Sequence, residues 1–174
     1  MSRHAYLILT LVVAAAWPTS AQDAPNPAAA KEAIAAISFL QGDWEGEGWI
    51  RRGPGEPQRF RSSEKVVARL DGVVLAVEGK HWSKDTNQVV HEAFAVISHD
   101  PAGGYKFESW LATGQSGSYK GRVESGAFVW EMSPPMGKIR YTIKVENATW
   151  TEVGQFSRDG VAWQPFFEMT LKRK

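Results

Sequence analysis

The chain has 174 residues, no cysteine and a formal net charge of +1, from 20 basic and 19 acidic residues. The lack of cysteine excludes disulfide cross-links, so an exported form must be held together by its own core. The even charge balance gives no electrostatic reason to expect nucleic acid or an anionic membrane as a partner. The length suits a single domain.

Residues 1–21 have the pattern of a cleaved export signal. A basic start at Arg3 is followed by an apolar run over residues 5–16, which is too short to span a bilayer comfortably. Residues 19–21 then supply the small side chains that a signal peptidase requires. We therefore expect cleavage after Ala21 and export to the periplasm or the medium. An uncleaved membrane anchor is the alternative.

Residues 22–38 are predicted to form a polar lead and one short helix. Asn26 is a typical N-cap residue, and Pro27 suits the first helical position. The alanine-rich stretch Ala28–Ser38 is expected to be helical. This helix would close one end of a barrel, with Ile34 and Ile37 against the first strand. A helix on the outside is the alternative.

The stretch from Gly42 to Ile50 is predicted to be the first strand. Trp44, Gly46 and Gly48 fall on one face, and acidic residues fall on the other. A period of two with acids on one side indicates a strand with one wet face. Glycines on the apolar face predict a sharp bend or a close approach of another backbone.

The rest of the chain is predicted to alternate between short strands and hairpin-sized turns. The expected strands are Gln58–Leu70, Val73–Ser83, Val89–Ser98, Tyr105–Leu111, Ser118–Glu124, Ala127–Met132, Lys138–Val145, Ala148–Ser157 and Trp163–Arg173. The inward face of Val89–Ser98 stays undecided, because both of its faces are apolar. Sequential hairpins without crossover helices favour a meander that closes on itself.

We therefore predict an all-β domain over residues 39–174. Its fold would be a single up-and-down antiparallel barrel of about 8–10 strands with one short N-terminal helix. A two-sheet sandwich is the alternative. Insertion into a membrane is not expected, because a charge at the bilayer midplane costs about 2–4 kcal/mol. The predicted outward faces carry many such charges: Arg59, Arg61, Lys65, Arg69, Lys138, Arg140 and Lys144.

The first and last strands resemble those of the calycin group of barrels. In lipocalins a first-strand Trp, in a Gly-x-Trp motif, packs against a basic residue near the end of the last strands. The resemblance implies that Gly42, Trp44 and Arg173 close the barrel here. Two longer segments resemble an uncharacterised family of exported bacterial lipocalin-like proteins, which has no assigned activity: Phe39-Leu40-x-Gly42-x-Trp44-x-Gly46-x-Gly48 and Trp150-x-Glu152-x-Gly154-x-Phe156-Ser157-x-Asp159-Gly160.

More distantly, the same motif resembles that of nitrobindin, a haem-binding barrel of ten strands. Nitrobindin holds its haem iron with a histidine late in the chain, whereas this sequence has no histidine after His99. We therefore predict no cofactor, with haem as the alternative.

Aromatic and polar side chains share the predicted inner faces. The predicted ligand-contacting residues are Trp44, Phe60, Glu64, His81, Tyr105, Phe107, Trp130, Tyr141, Trp150 and Glu152. So many interior polar groups are not expected in a barrel filled by side chains, because each buried polar group needs a hydrogen-bond partner. The sequence thus predicts a monomer or homodimer that binds a small, mostly apolar ligand. A filled barrel that acts through its outer surface is one alternative.

An enzyme on the same barrel, or a barrel that holds a metal ion, is also compatible with the sequence. Glu64 and Glu152 would serve as acid and base if they share a cavity. His81 and His91 would face each other across a hairpin, but no third ligand has suitable spacing, so no metal site is predicted. The chain lacks a nucleophile elbow, a P-loop and a His-Glu-x-x-His motif. No catalytic residue is therefore assigned.

Overall fold

The computed structural model describes residues 26–174. The predicted export signal and its cleavage point lie outside this range. The described chain begins with α1 (Pro27–Ala36) and a 3₁₀ turn (Ser38–Leu40). Ten strands follow: β1 (Gly42–Ile50), β2 (Gln58–Arg69), β3 (Val74–Ser83), β4 (Val89–His99), β5 (Tyr105–Leu111), β6 (Ser116–Glu124), β7 (Ala127–Met132), β8 (Lys138–Glu146), β9 (Thr149–Ser157) and β10 (Gln164–Arg173).

The strands form one closed barrel. Each strand pairs antiparallel with the next, and β10 pairs with β1 to complete the ring. The predicted fold class, an up-and-down barrel with one short helix, is confirmed, and the sandwich alternative is wrong. Closure leaves no strand edge unpaired, which an open meander of this length would have to protect.

The helix begins as the sequence predicts and lies at one end of the barrel. The Asn26 side chain accepts a hydrogen bond from the Ala29 N–H at 3.1 Å, and Pro27 occupies the first turn. Ile34 and Ile37 are buried in the core. The helix packs chiefly on β3 and β4 rather than on the first strand.

The glycines of β1 mark a close approach to β10. A Cβ atom at Gly46 would overlap the Thr170 carbonyl oxygen and lie 2.9 Å from the Leu171 Cα. Real side chains do not tolerate such contacts, so glycine is required there for the two strands to pack. The predicted close backbone approach is confirmed.

The structure changes one expected inward position and decides another that the sequence left open. Alternation predicts that Leu70 points inward at the end of β2, but it is 74% exposed with a φ of 52°. The left-handed turn at residues 70–72 ends the strand early and directs this side chain to solvent. On β4, where the sequence left the face undecided, His91, Ala95 and Ile97 point inward. A bulge beside His81 sets this register.

No helix within residues 26–174 is both long and apolar enough to cross a membrane.

Candidate functional site

One end of the barrel interior is closed by a floor, formed by Leu40, Gly42, Trp44, Tyr105 and Arg173. Trp44 is 1% exposed, and its indole N–H donates to the Leu40 carbonyl at 3.0 Å. The Arg173 guanidinium lies over the Trp44 ring, 4.2 Å from the ring centroid. The three residues that the lipocalin resemblance implied for closure therefore lie together.

Arg173 also fastens the floor to the turn before β1. Its guanidinium donates to the carbonyl oxygens of Gln41 and Phe39. Gly42 leaves room for this arrangement, since a Cβ atom there would lie 2.5 Å from the Arg173 Nη1. The guanidinium thus satisfies two backbone acceptors at the point where the barrel closes.

Above the floor lies a cavity of about 260 Å³. Of the predicted ligand-contacting residues, these line it: Phe60, Glu64, His81, Phe107, Trp130, Tyr141, Trp150 and Glu152. Trp44 and Tyr105 belong to the floor instead. The Tyr105 hydroxyl donates to the Ala33 carbonyl at 2.8 Å, so it holds the helix onto the barrel.

Two series of stacked rings form much of the cavity wall. The first, here named the tryptophan ladder, contains Phe107, Trp130 and Tyr141. Trp130 stacks on Phe107 at 4.5 Å and on Tyr141 at 4.4 Å, with interplanar angles of 13° and 9°. Because these rings face one another along the wall, they present their edges to the cavity.

The second series, the histidine ladder, contains Phe167, Phe60, His81 and His91. Phe60 and His81 are nearly parallel, at 4.5 Å and 4°, and His91 follows His81 at 4.9 Å. A T-shaped contact of 5.7 Å between Tyr141 and Phe167 joins the two ladders. The two ladders therefore form one connected series of rings along the cavity wall.

Glu64 reaches the cavity from β2. It is 8% exposed, and its Oε1 accepts a hydrogen bond from the Ser62 hydroxyl at 3.5 Å and lies 3.3 Å from the His81 Nε2. Gly79 on β3 makes space for it, since a Cβ atom there would lie 2.6 Å from the Glu64 Oε2. Both contacts use Oε1. Among residues 26–174, no donor contacts Oε2.

Glu152 reaches the cavity from β9. It is also 8% exposed, and its Oε2 accepts from the Trp150 indole N–H at 3.3 Å. Arg173 does not pair with this carboxylate, because its guanidinium lies over Trp44 and donates to the backbone of the floor. Its Oε1 has no hydrogen-bond donor in the described part of the chain.

Burial shifts the protonation of these groups toward neutrality. It raises the pKa of Glu64 to about 8, against the opposing hydrogen bond from Ser62. Burial, reinforced by the charge of Glu64, raises the pKa of Glu152 to about 8 as well. Burial also lowers the pKa of His81 to about 4, and the positive charge of Arg52 adds to this effect. At neutral pH the Glu64–His81 contact is therefore a hydrogen bond between an uncharged acid and an uncharged imidazole.

The same environment acts on the remaining polar groups of the cavity. Burial, with the charges of His81 and Arg52, lowers the pKa of His91 to about 4. Burial raises the pKa of the Tyr141 hydroxyl well above its usual range, and the charge of Glu152 acts in the same direction. The interior is thus a polar but largely uncharged site at neutral pH.

The predicted ligand-contacting set lacks many of the residues that line the cavity, among them Tyr119, Phe167 and Arg52. Tyr119 and Phe167 follow the alternation of β6 and β10, so the pattern contained a signal for them. Arg52 follows β1 in a turn, where alternation no longer indicates direction. It is the single Lys or Arg among the described residues that line the cavity.

Metal and cofactor binding require separate consideration. His81 and His91 pair across the β3–β4 hairpin, as the sequence suggested. Within residues 26–174, no group of three or more His, Asp or Glu side chains is placed to hold a metal ion. The absence of a cofactor, with haem as its alternative, stays a prediction.

Comparisons with known proteins bear on the fold. No family model matches the chain, and no curated protein matches it. Among solved structures, the crystal structure of Rv2717c from M. tuberculosis aligns with a TM-score of 0.62 at 14% identity, covering 82% of this chain and 97% of that protein. This similarity shows a shared antiparallel barrel.

Proposed function

We propose that this protein binds a small, mostly apolar ligand with one or two polar groups, inside the barrel and above its floor. One observation carries the proposal: the aromatic cavity contains two carboxyl groups, and each has an oxygen without a donor among the described residues. A core that served stability alone would gain more from apolar side chains in these places, because burying a carboxyl group is costly.

The walls indicate the shape of the ligand. The volume of 260 Å³ lies just below the usual range for drug-sized ligands, about 300–1,000 Å³, so a compact molecule is favoured. The ladders offer ring edges, and aromatic rings interact well when an edge meets a face. A flat, apolar ligand that turns its face to either ladder fits this arrangement.

The family of the protein and its export are part of the same proposal. The closed barrel and the Trp44–Arg173 contact support membership of a lipocalin-like family of exported barrels. Residues 1–21 support export to the periplasm or the medium. N-terminal sequencing of protein recovered from its host is expected to start at Gln22. A mature form that retains residues 1–16 would contradict export by cleavage.

The binding function is tested by native mass spectrometry of protein purified from its own host. The wild-type protein is expected to carry an added mass that is lost on denaturation. Ala93 lines the cavity on β4, so Ala93→Phe places a ring inside it and is expected to abolish the added mass. Ala76 lies on the outward-facing register of β3, paired with Val96, and Ala76→Phe is the matched control that should retain it.

The two variants distinguish the interior from the surface. Loss of the added mass in Ala93→Phe but not in Ala76→Phe supports the proposal. An added mass that survives Ala93→Phe would place the ligand outside the cavity. A wild-type protein without any retained ligand, and without affinity for flat apolar probes, would contradict the binding function itself.

A further inference from the structure

Each of the two interior carboxyl groups has one oxygen that accepts no hydrogen bond from the described residues, here called its open oxygen. These open oxygens indicate which polar group a ligand of the cavity should carry. In Glu64 both protein contacts fall on Oε1, and in Glu152 the single contact falls on Oε2. Within residues 26–174, no fully buried side-chain nitrogen or oxygen lacks a hydrogen-bond partner. The second oxygen of each carboxyl group is therefore accessible from the cavity rather than sealed in the wall.

The protein surrounds these oxygens with few donors of its own. The neighbouring polar groups are the Ser62 hydroxyl and His81 beside Glu64, and the Trp150 indole and Tyr141 beside Glu152. Arg52 is the cation that lines the described cavity, and its side chain is exposed at the open end. No Lys or Arg side chain of residues 26–174 forms an ion pair with either carboxyl group, and the His81 that contacts Glu64 is uncharged at neutral pH.

We propose that the ligand of this cavity carries a protonated amine, which donates hydrogen bonds to the open carboxyl oxygens of Glu64 and Glu152. This inference rests on the proposed binding function and specifies the polar group of its ligand. Hydrogen bonds from an ammonium group to a carboxylate are about twice as strong as those between neutral groups. The ligand would supply the positive charge that the barrel interior does not provide.

Proton exchange accompanies binding in this arrangement. Near neutral pH the carboxyl groups hold their protons, because burial raises the pKa of both to about 8. An ammonium ion that enters the cavity therefore displaces a proton, which leaves to solvent. Affinity for the amine is expected to rise as the pH increases from about 6 to about 8, since release of the proton to solvent becomes more favourable at higher pH. His81 and His91 remain neutral over that interval.

The experiment compares three probes of one shape by isothermal titration calorimetry. They are 2-naphthylmethylamine, which is a cation, 2-naphthylmethanol, which is neutral, and 2-naphthoic acid, which is an anion. The amine is expected to bind at least about tenfold more tightly than the alcohol at about pH 8, a difference of about 1.4 kcal/mol. The anion is expected to bind most weakly, because it would face the two carboxyl groups.

Two variants, one that removes an acidic group and one that removes a basic group, test whether the carboxyl groups bind the amine. Glu152→Gln keeps the shape of the side chain and is expected to remove most of the preference for the amine, while affinity for the alcohol stays within about twofold. Arg52→Gln removes the cation at the open end and is expected to increase affinity for the amine slightly, because a like charge no longer opposes its entry. Glu78→Gln, at an exposed position of β3, is the control and should leave all three affinities unchanged.

The outcomes separate this inference from the binding function. If the alcohol or the acid binds as tightly as the amine, the amine assignment is wrong while binding in the barrel stands. The amine assignment is also wrong if the preference for the amine is retained in each of the two single variants, Glu152→Gln and Glu64→Gln. If none of the three probes binds, the proposed function fails and the inference fails with it. Tighter amine binding that depends on either carboxyl group supports the inference.

Discussion

The floor of the barrel and the cavity above it are built from the same alternating strands, but they treat polar groups differently. In the floor, the Trp44 indole, the Tyr105 hydroxyl and the Arg173 guanidinium all donate to backbone carbonyl oxygens. In the cavity, Glu64 and Glu152 each keep one oxygen that has no donor in the described chain.

This difference separates what the barrel needs in order to fold from what it offers to a ligand. Polar groups that connect to backbone acceptors fix the closure of a sheet, and their loss leaves buried groups unsatisfied. Buried polar groups without a hydrogen-bond partner do not stabilise the fold, because their burial opposes folding. We infer that the floor carries stability and the cavity carries function.

Removal of the central floor residue is expected to have the largest effect. Trp44→Ala should lower the free energy of unfolding by about 3–5 kcal/mol, because the change leaves a cavity and removes the ring on which Arg173 lies. Urea denaturation measures the loss. Trp110, which is 47% exposed on the outer face, supplies the matched control, and Trp110→Ala should cost far less. Equal losses in the two variants would mean that the floor is not a distinct stabilising region.

The cavity is expected to make stability depend on pH. The pKa of Glu64 and of Glu152 is about 8 in the folded state, against 4.5 for an ordinary carboxyl group. Each group therefore contributes stability that is complete below about pH 4.5 and is lost as the pH rises through about 8, at about 1.4 kcal/mol per pH unit. His81 and His91, with pKa values lowered to about 4, cost stability as the pH falls from about 6.5 to about 4. The two contributions offset each other between about pH 4.5 and about pH 6.5, so stability is expected to be roughly level there and to fall on either side.

Urea titrations across this pH range, in the wild-type protein and in variants, test the assignment. Replacement of both carboxyl groups, Glu64→Gln with Glu152→Gln, should flatten the decline above about pH 6.5. It should also move the onset of the acidic decline up to about pH 6.5, because the carboxyl groups no longer offset the histidines. Glu78→Gln should preserve the wild-type profile. An alkaline decline that persists in the double variant would show that other groups cause it.

The smallest of these effects concerns Arg173. Arg173→Met keeps much of the side-chain length but loses the hydrogen bonds to Gln41 and Phe39 and the charge over Trp44. We expect a loss of about 1–3 kcal/mol in the free energy of unfolding. Arg158, an exposed residue in the β9–β10 turn, gives the control variant Arg158→Met. A loss no larger than that of the control would remove Arg173 from the stabilising floor.

The sequence predicted the floor and the fold better than it predicted the cavity. Alternation in Gly42–Ile50 and in Lys138–Val145 indicated inward faces directly, because a period of two determines direction in a regular strand. It failed at Leu70, where a left-handed turn ends the strand, and at Arg52, which lies in a turn beyond β1. It also could not decide between the two apolar faces of Val89–Ser98, since the bulge beside His81 sets that register.

Alternation showed which residues point inward, but it did not show which of them belong to the floor and which to the cavity. That difference depends on height along the barrel axis, which the sequence pattern does not encode. Trp44 and Tyr105 alternate inward as Phe60 and Phe107 do, but they lie beside the helix and fill the floor. Strand pairing across the whole ring decides that height, and pairing registers follow from turns and bulges rather than from local alternation.

The most direct test of the interior site is a crystal of the protein soaked with 6-bromo-2-naphthol, a flat and neutral probe with one hydroxyl group. Anomalous diffraction at the bromine absorption edge locates the probe without assumptions about the surrounding density. We expect one dominant bromine peak inside the barrel, between the tryptophan ladder and the histidine ladder, with the hydroxyl group toward Glu64 or Glu152. A dominant peak on the outer face, for example at the exposed Phe94–Trp110 pair, with none inside the barrel, would contradict an interior ligand site.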